Sequence, residues 1–316
     1  MRCTDPRTVG FLDDGKTISW SQKTYSKEYA TFQLPCGQCL ACRLEYARQW
    51  AVRCIHEAQM HEKNCFITLT YADEHLPPKL QYDHFQDFMK RLRTYINDHE
   101  RGNKTLEETQ IGFFVTGEYG DKTKRPHWHA IIFNWSPADA VPKYITNQNH
   151  QVFSSKTLDT LWGKGITEFG SVTLDSAGYC ARYAAKKLSH GRDKTHDYEP
   201  ISKKSSRQAI GKKFIQKHFE SVFNLGFLVL EGEKLSIPRY YEKWLKNNEP
   251  NLWRRYVTQK KLEITNKAKE KNERQMAEEK RINENRRPFA GPVRSKKEAQ
   301  RKILKSKFKQ LKTRLG

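Results

Sequence analysis

Apolar positions between residues 62 and 190 follow two spacings, one typical of strands and one typical of amphipathic helices. The segment 65–71, CFITLTY, is rich in aromatic and β-branched residues and precedes Pro77 and Pro78, which predicts a strand. The segment 82–97 repeats its apolar side chains every three or four positions, which predicts a helix with one buried face. The predicted strands are 65–71, 111–119, 129–135, 165–174 and 227–230, and the predicted helices are 40–61, 82–97 and 177–188.

The short connection between Tyr119 and His129 indicates how the sheet is built. It contains Gly, Asp, Lys and Pro, and it is too short for the crossover that joins parallel strands. The two flanking strands are therefore expected to form an antiparallel hairpin. We predict an α+β domain with a central, largely antiparallel β-sheet flanked by helices.

Charge is unevenly distributed along the chain. Of its 316 residues, 58 are basic and 36 acidic, which gives a formal net charge of +22, and only 36% are hydrophobic. The segment 254–316 carries 22 basic and seven acidic side chains and few apolar ones, which predicts a basic tail that is helical or disordered. Such an excess favours a polyanionic partner, although ribosomal proteins and proteins of anionic membranes share it. The tail is equally typical of a solvated segment and of a DNA-binding one.

These patterns divide the chain into four predicted segments. A cysteine-rich segment with a helix covers 1–61, the alternating core covers 62–190, an α/β extension packed on the core covers 191–253, and the basic tail covers 254–316. We find no stretch of about 18 apolar residues and no apolar run of a signal peptide. Seven cysteines, an odd number, favour a reducing compartment. We therefore expect a cytoplasmic protein without a membrane segment.

The sequence His127-Trp128-His129 offers a candidate metal site. Alternate residues of a strand share a face, so the two imidazoles project together while Trp128 points to the other face. The hairpin partner carries Glu118, whose carboxylate could be a third ligand. Mixed nitrogen and oxygen ligands suit Mg²⁺ or Mn²⁺ with a phosphate bound, and zinc is also compatible. Taken alone, two histidines at the start of a strand are equally typical of ordinary polar residues.

Two tyrosines, Tyr179 and Tyr183, lie one turn apart on the predicted helix 177–188. At this spacing they share one helix face, and Lys186 returns to nearly the same direction. A phenol with an unperturbed pKa of about 10 is a poor nucleophile at neutral pH, and a nearby cation or metal-bound phosphate would favour the phenolate. Aromatic pairs at this spacing more commonly pack in cores. Beside a metal, a tyrosine could attack phosphorus and leave a 5′-phosphotyrosine and a free 3′-hydroxyl.

A cysteine cluster near the N-terminus predicts a second metal site. Cys36, Cys39 and Cys42 lie within seven residues, and Cys3 is the expected fourth ligand. Structural Zn²⁺ held by four thiolates is the favoured interpretation, while an iron–sulfur cluster and uncoordinated cysteines are the alternatives. The cysteines predicted to be buried, small hydrophobic residues are Cys54, Cys65 and Cys180.

Basic residues outside the tail are frequent in the polar segment after the tyrosine helix, which is predicted to be a lysine-rich loop. They could follow the backbone of a single strand, with Trp162 offering a stacking face. Arg182 and Lys187, on the tyrosine helix, are also predicted to bind DNA. The predicted DNA-binding residues of the loop are Lys203, Lys204, Arg207, Lys212 and Lys213.

Three segments carry a resemblance to a known family. They are FITLTY at 66–71, GEYG at 117–120 followed by RPHWHA at 125–130, and YCARYAAKK at 179–187. In this order they resemble the motifs of the HUH endonuclease superfamily, and specifically the replication initiators of gokushovirus-type Microviridae, small single-stranded-DNA phages. Similar flanking segments extend the resemblance over roughly residues 1–245.

The resemblance implies rolling-circle replication by an HUH endonuclease domain that nicks the viral strand at its origin, stays attached to the 5′ end and later rejoins the displaced circle. It implies that Tyr179 and Tyr183 alternate as nucleophiles, that Lys186 occupies the family's lysine position, and that His127 and His129 bind the metal. Single-stranded origin DNA and the host replication machinery, in the host bacterial cytoplasm, are the implied partners.

Two other functions are compatible with the same residues. A non-catalytic basic protein could coat or package nucleic acid, in which case DNA binding would survive the loss of both tyrosines. A different HUH enzyme, such as a conjugative relaxase or a single-strand transposase, would share the metal pair and the tyrosine. The cysteine-rich start and the lack of a helicase-like extension argue against a relaxase.

Overall fold

The computed structural model describes residues 3–120, 123–186, 201–285 and 296–314. These residues divide into two compact units. One unit comprises Tyr46–Val257, and the other comprises Met1–Glu45 together with Thr258–Gly316. The division into four sequence segments stays a prediction.

Strands and helices alternate through the described residues. The strands, in chain order, are β1 Arg7–Phe11, β2 Ile18–Ser19, β3 Phe32–Leu34, β4 Asn64–Thr70, β5 Gly112–Tyr119, β6 Pro126–Phe133, β7 Val141–Ile145, β8 Gln151–Ser154, β9 Thr167–Gly170, β10 Ile201–Lys204, β11 Leu228–Leu230 and β12 Glu233–Leu235. The helices are α1 Leu40–Ala58, α2 Tyr82–Tyr95, α3 Lys156–Trp162, α4 Leu174–Lys186, α5 Lys212–Leu225, α6 Arg239–Asn248, α7 Pro250–Arg255, α8 Leu262–Glu284 and α9 Lys296–Arg314.

A seven-stranded sheet forms the centre of the larger unit. Its strands lie in the order β10-β5-β6-β4-β9-β8-β7, and every neighbouring pair is antiparallel. Strands β5 and β6 form the predicted hairpin, in a register that pairs Gly112 with Phe133 and Tyr119 with Pro126. The α+β class with a large antiparallel sheet and helices is thus confirmed.

The sheet buries apolar side chains on both faces. On one face, Trp128 of β6 packs in a core with Phe85 of α2, and both are fully buried. On the other face, Ile131 of β6 packs in a core with Ala177 of α4 and Trp50 of α1. Because successive side chains of a strand alternate, the odd-numbered positions of β6 all face α1 and α4. This alternation decides which helices cover the candidate metal site.

The segment after β10 packs on α1 through an apolar core and a buried polar network. Arg53 donates to the carbonyl oxygen of Ile210 from Nε and Nη2, at 3.0 and 2.9 Å. Glu57 accepts a hydrogen bond from the backbone N–H of Gly211 at 2.6 Å. Both charged side chains are buried, and such pairing is what makes their burial tolerable.

The predicted lysine-rich loop contains a strand and the start of a helix, so this prediction was wrong. Lys203 and Lys204 lie on β10, whose backbone pairs with β5. Lys212 and Lys213 begin α5. An edge strand exposes much of its surface to water, so β10 lacks the apolar alternation by which a buried strand is found in a sequence.

Two further elements differ from the predictions. The predicted strand 165–174 ends at Gly170, because a new helix, α4, begins at Leu174. Thr173 precedes this helix, and its Oγ1 accepts a hydrogen bond from the N–H of Ser176 at 3.2 Å, which is typical of a helix N-cap. The hairpin of β7 and β8 was not predicted, and β7 is exposed along its whole length.

The smaller unit contains the strands β1 to β3 and the tail helices. The three strands form an antiparallel sheet in the order β2-β1-β3. In the tail, α8 and α9 are helical, in line with the predicted basic tail, and Arg301 of α9 forms an ion pair with Asp5. Among the described residues, we find no helix with both the length and the apolar character needed to cross a membrane.

Candidate active site and metal centres

The register of β5 and β6 brings one carboxylate and two imidazoles together. Glu118 lies directly opposite His127, and alternation along β6 directs His129 to the same sheet face. Glu118 Oε2 lies 3.9 Å from His127 Nε2. One ligand-capable atom from each of the three residues lies within 4.8 Å of the others. The structure thus places the three residues predicted to bind the catalytic metal at one point.

Both histidines are oriented through Nδ1. His127 Nδ1 lies 3.1 Å from the carbonyl oxygen of Arg125, an acceptor, so Nδ1 carries the proton and Nε2 keeps its lone pair. His129 Nδ1 lies 3.0 Å from Thr68 Oγ1. Metal-binding histidines are commonly held in this way through the nitrogen that does not bind the metal. The two Nε2 atoms are therefore the candidate ligands.

Burial keeps His129 neutral. The residue is buried, and burial followed by the nearby His127 lowers the pKa of His129 well below its ordinary value of 6.5. A neutral imidazole offers a lone pair to a cation, whereas a protonated one does not. Together with the buried carboxylate of Glu118, two neutral imidazoles form a donor set that suits a divalent ion.

Helix α4 places Tyr179 over these three side chains. Tyr179 Oη lies 3.4 Å from Glu118 Oε2 and 3.4 Å from His129 Nε2, at the long end of hydrogen-bonding distances. The tyrosine ring packs edge-on against His129, with ring centres 4.8 Å apart. The small side chains of Ala177 and Ala181, both fully buried, let the helix approach the sheet this closely.

The remaining predicted residues of the tyrosine helix are only partly described. Tyr183 and Lys186 belong to the backbone of α4, but their side chains lie outside the described residues. Lys187 lies outside them altogether. The guanidinium carbon of Arg182 lies 6.0 Å from the centre of the Tyr179 ring, so one predicted DNA-binding residue is close to the candidate nucleophile.

Thr68 belongs to this site although we did not single it out from the sequence. It lies directly opposite His129 on β4. The available signal was the alternation of Thr68 and Thr70 with the fully buried Ile67 and Leu69, which indicates a polar face on an otherwise apolar strand. Only the strand register shows which histidine this polar face contacts.

The four cysteines predicted to bind zinc also come together. Cys3 Sγ lies 3.5 Å from Cys36 Sγ and 3.7 Å from Cys39 Sγ, and Cys36 Sγ lies 4.0 Å from Cys42 Sγ. None of the four forms a disulfide. Tetrahedral zinc with bonds of about 2.3 Å holds its sulfurs about 3.8 Å apart. The observed spacing fits a single ion, whereas a cluster of several irons would hold the sulfurs further apart.

The electrostatics of the cysteine cluster also favour a cation. Cys36 Sγ accepts a hydrogen bond from the N–H of Cys39 at 3.2 Å. Burial raises the pKa of Cys39, but hydrogen bonds from Thr4 and from the backbone of Cys42 outweigh this effect and lower the pKa to about 6. Burial and the neighbouring thiols raise the pKa of Cys42. A divalent ion such as zinc would relieve the repulsion between thiolates, so this cluster could hold a structural metal.

The predicted DNA-binding lysines of β10 point to opposite faces of the sheet. Lys203 Nζ lies 5.7 Å from the ring centre of Tyr82 on α2, and Lys204 Nζ lies 4.6 Å from that of Trp50 on α1. These lysines therefore do not form the single loop surface that was predicted. The predicted DNA-binding residues that are exposed are Lys203, Lys204, Arg207 and Lys212, while Lys213 is half-buried.

Trp162 cannot serve as the predicted stacking face for DNA. Its side chain is fully buried, and its Nε1 donates to the carbonyl oxygen of Thr70 at 2.6 Å. This prediction was wrong because tryptophan commonly fills a core when its N–H finds a partner. The predictions for Cys54, Cys65 and Cys180 are confirmed, since all three are fully buried.

Similarity to known proteins indicates the biological setting of this site. The replication-associated protein VP4 of Bdellovibrio phage phiMH2K is 45% identical over 317 residues, covering 100% of this chain and 99% of that protein. The chain belongs to the replication-associated proteins of the Microviridae. The replication-associated protein ORF2 of Spiroplasma virus 4 is 30% identical over 292 residues, covering 85% of this chain and 88% of that protein.

A shorter match comes from the replication-associated protein ORF4 of Chlamydia phage 1. It is 34% identical over 226 residues, which cover 68% of this chain and 54% of that protein. A family model of replication-associated proteins, described by its member ORF2, matches residues 64–188. No solved structure matches the chain. The resemblance to Microviridae replication initiators is thus confirmed, and the matched segment contains the candidate active site.

Proposed function

We propose that this protein is an HUH-type rolling-circle replication initiator that nicks and rejoins single-stranded DNA at the phage origin. The observation that carries the proposal is the position of Tyr179 Oη, 3.4 Å from both Glu118 Oε2 and His129 Nε2. A nucleophile beside a candidate metal site is the arrangement that metal-assisted phosphodiester transfer requires. Membership of a family of replication-associated proteins supports the biological role.

Tyr179 is assigned the attack on phosphorus. A bond forms between Tyr179 Oη and the phosphorus atom, and the bond from phosphorus to the 3′ oxygen breaks. The phenol releases one proton and the departing oxygen takes one up, so cleavage leaves a 5′-phosphotyrosine and a free 3′-hydroxyl without any co-reactant. Attack by a 3′-hydroxyl on the phosphotyrosine reverses these changes and joins the strand again.

Glu118, His127 and His129 are assigned to hold Mg²⁺ or Mn²⁺. When bound, the ion would polarise the phosphodiester as a Lewis acid. The protein's own contribution is orientation, because the hydroxyl of Thr68 and the carbonyl of Arg125 hold the two rings with Nε2 toward the carboxylate. A metal in this position would lie next to the hydroxyl of the attacking tyrosine.

Tyr183 and Lys186 complete the proposed reaction centre. A second tyrosine one helical turn away could attack a second phosphodiester while Tyr179 remains joined to DNA. The ammonium group of Lys186 would favour the phenolate. Single-stranded origin DNA and the host replication machinery, in the bacterial cytoplasm, are the proposed partners. The residues proposed to contact DNA are Arg182, Lys187, Lys203, Lys204, Arg207, Lys212 and Lys213, and those proposed to hold structural zinc are Cys3, Cys36, Cys39 and Cys42.

The test is covalent capture of labelled DNA. The full-length protein is incubated with single-stranded origin DNA, labelled at the 5′ or the 3′ end, in the presence of Mn²⁺ or Mg²⁺. We expect a protein adduct that retains only the 3′-labelled product, since the enzyme joins to the 5′ end created by the nick. A chelator should abolish this adduct, and so should the double variant Tyr179→Phe, Tyr183→Phe.

A matched control separates loss of the nucleophile from loss of any tyrosine. Tyr46→Phe removes one hydroxyl from an exposed ring on α1, outside the candidate site, and should leave adduct formation unchanged. If the unaltered protein binds the DNA without forming an adduct with either metal, the enzymatic proposal fails. That outcome would instead support a non-catalytic protein that coats DNA.

A further inference from the structure

A groove of about 830 Å³ lies at the end of the sheet opposite the candidate active site. One wall is the face of α2 that carries Tyr82 and Arg93, and the other is the segment from Lys204 to Ile210. Gly112, the first residue of β5, also lines the groove, whereas Glu118 lies six residues further along the same strand. At about 3.4 Å per residue, the groove is about 20 Å from the candidate metal site.

Two guanidinium groups dominate the charge of this groove. Arg93 and Arg207 both line it, and both are exposed. Burial and the positive charge of Arg207 lower the pKa of Arg93, which shows that the two cations act on each other. Among the described residues, neither forms an ion pair with a carboxylate. Of the acidic side chains in the lining, Glu57 already accepts the hydrogen bond from Gly211.

The other lining groups suit a nucleic acid strand better than a single small anion. Tyr82 is only partly buried and offers an aromatic face near the ammonium group of Lys203. From Tyr82 to Asn97 the helical wall is about 22 Å long at 1.5 Å per residue, which is enough for several phosphates in succession. Hydroxyl and amide groups suited to phosphate oxygens or base edges are supplied by Gln86, Asn97, Thr109, Ser205, Ser206 and Gln208.

Strand β10 connects the two regions. Ile201 pairs with Gly117, the neighbour of the candidate metal ligand Glu118, and Lys204 lines the groove. The strand has one neighbour in the sheet, β5, and it leads along the sheet edge toward the groove. A DNA strand held at the active site could therefore follow this edge.

We propose that the groove binds a second stretch of the single-stranded DNA, about 20 Å from the phosphodiester that reacts, with Arg93 and Arg207 each contacting a phosphate. The DNA identity of the ligand rests on the proposed replication function, whereas the anion-binding character rests on the groove itself. Binding there holds the strand in place while the active site acts on a different phosphodiester.

The test measures the affinity of a fluorescently labelled oligothymidylate of about 30 nucleotides by anisotropy, between about 50 and 300 mM salt. For single strands, each phosphate contact contributes about 0.7 to the slope of log affinity against log salt. The double variant Arg93→Gln, Arg207→Gln should therefore reduce the slope by about 1.4. Near physiological salt, the same relation predicts a loss of affinity of about tenfold.

A control variant removes the same charge elsewhere. Lys217→Gln, Lys246→Gln alters two exposed lysines on α5 and α6 outside the groove lining and should change neither the slope nor the affinity appreciably. Photo-crosslinking with bromodeoxyuridine-substituted DNA should label the peptide that contains Tyr82. Equal behaviour of both double variants, or no crosslink to that peptide, would overturn the proposal, and so would stronger competition by an oligouridylate.

These measurements are independent of strand cleavage. The binding assay needs no metal and no nick, so it reports on the groove whether or not a phosphotyrosine forms. Failure of the proposed enzymatic function would appear as a missing adduct in the unaltered protein. Failure of the groove proposal would appear as unchanged binding by the variant of Arg93 and Arg207.

Discussion

Replacing Thr68 by valine tests whether the orientation of His129 matters for metal binding. Valine keeps the β-branched shape that suits β4 but removes Oγ1, which lies 3.0 Å from His129 Nδ1. His129 is buried, so water is a poor substitute for the lost partner, and the ring is no longer fixed with Nε2 toward Glu118. The perturbation is therefore local and acts through one hydrogen bond.

The expected magnitude follows from comparable sites. Loss of the partner that orients a metal-binding histidine typically weakens metal affinity by about 10–100-fold, or about 1.4–2.8 kcal/mol. The same substitution should lower the free energy of unfolding by only about 1 kcal/mol, the usual net value of one hydrogen bond. We therefore expect Thr68→Val to change metal dependence far more than stability.

The assay is adduct formation on single-stranded DNA as a function of Mn²⁺ concentration. The half-saturating Mn²⁺ concentration should rise by at least about tenfold for Thr68→Val, with recovery of the adduct at high metal. Thr70→Val is the matched control, since its Oγ1 donates to the carbonyl oxygen of Ile166 at 2.7 Å rather than to a histidine. If both variants shift the metal dependence equally, or neither does, the assigned role of Thr68 is refuted.

Three further predictions concern other parts of the protein. Burial, assisted by His218, lowers the pKa of His56 to about 4; because this is below the unfolded value of about 6.5, the unfolded chain binds more protons between these pH values. The free energy of unfolding should therefore fall by up to about 3 kcal/mol as pH drops from 6.5 to 4, and His56→Phe should flatten that dependence in urea titrations. Cys39→Ser should reduce the zinc content of the purified protein, measured by metal analysis, from one ion per chain to well below one. Gly165→Ala should destabilise the protein by more than about 2 kcal/mol in urea titrations, because φ is +153° and a Cβ would lie 2.5 Å from backbone atoms.

Each of these predictions has a matched comparison. An exposed histidine, as in His75→Phe, should leave the pH dependence of unfolding unchanged, and equal flattening by both variants would refute the role of burial. Cys65→Ala removes a buried thiol far from the zinc ligands in sequence and should keep the metal, so metal loss there would contradict the assignment. Gly163→Ala, at φ +62° with open space around the new carbon, should cost only about 1 kcal/mol, and an equal cost at both glycines would contradict the steric argument.

Much of the chemistry of the candidate site was predictable from short stretches of sequence. The placement of His127 and His129 on one strand face requires only the alternation of side chains. The hairpin that brings Glu118 alongside requires only a short turn between two strands. Both features depend on residues close together in the chain, for which local geometry leaves few alternatives.

The position of Tyr179 relative to the metal ligands was not predictable in the same way. Its hydroxyl is 61 residues from Glu118 along the chain, yet the two groups lie 3.4 Å apart. That distance depends on how α4 packs on the sheet through Ala177 and Ala181, which a helical pattern indicates but does not place. The contact of Thr68 with His129 depends likewise on the register of β4 against β6.

By itself, the sequence determined the residue types of both candidate metal centres, the central hairpin and the family. Only the tertiary structure decided that the lysines of β10 lie on a sheet edge, that Trp162 is buried, and that Arg93 and Arg207 line one groove. The physical reason is that periodicity and turn chemistry act over a few residues. Sheet order, burial and the approach of distant charges depend on packing across the whole unit.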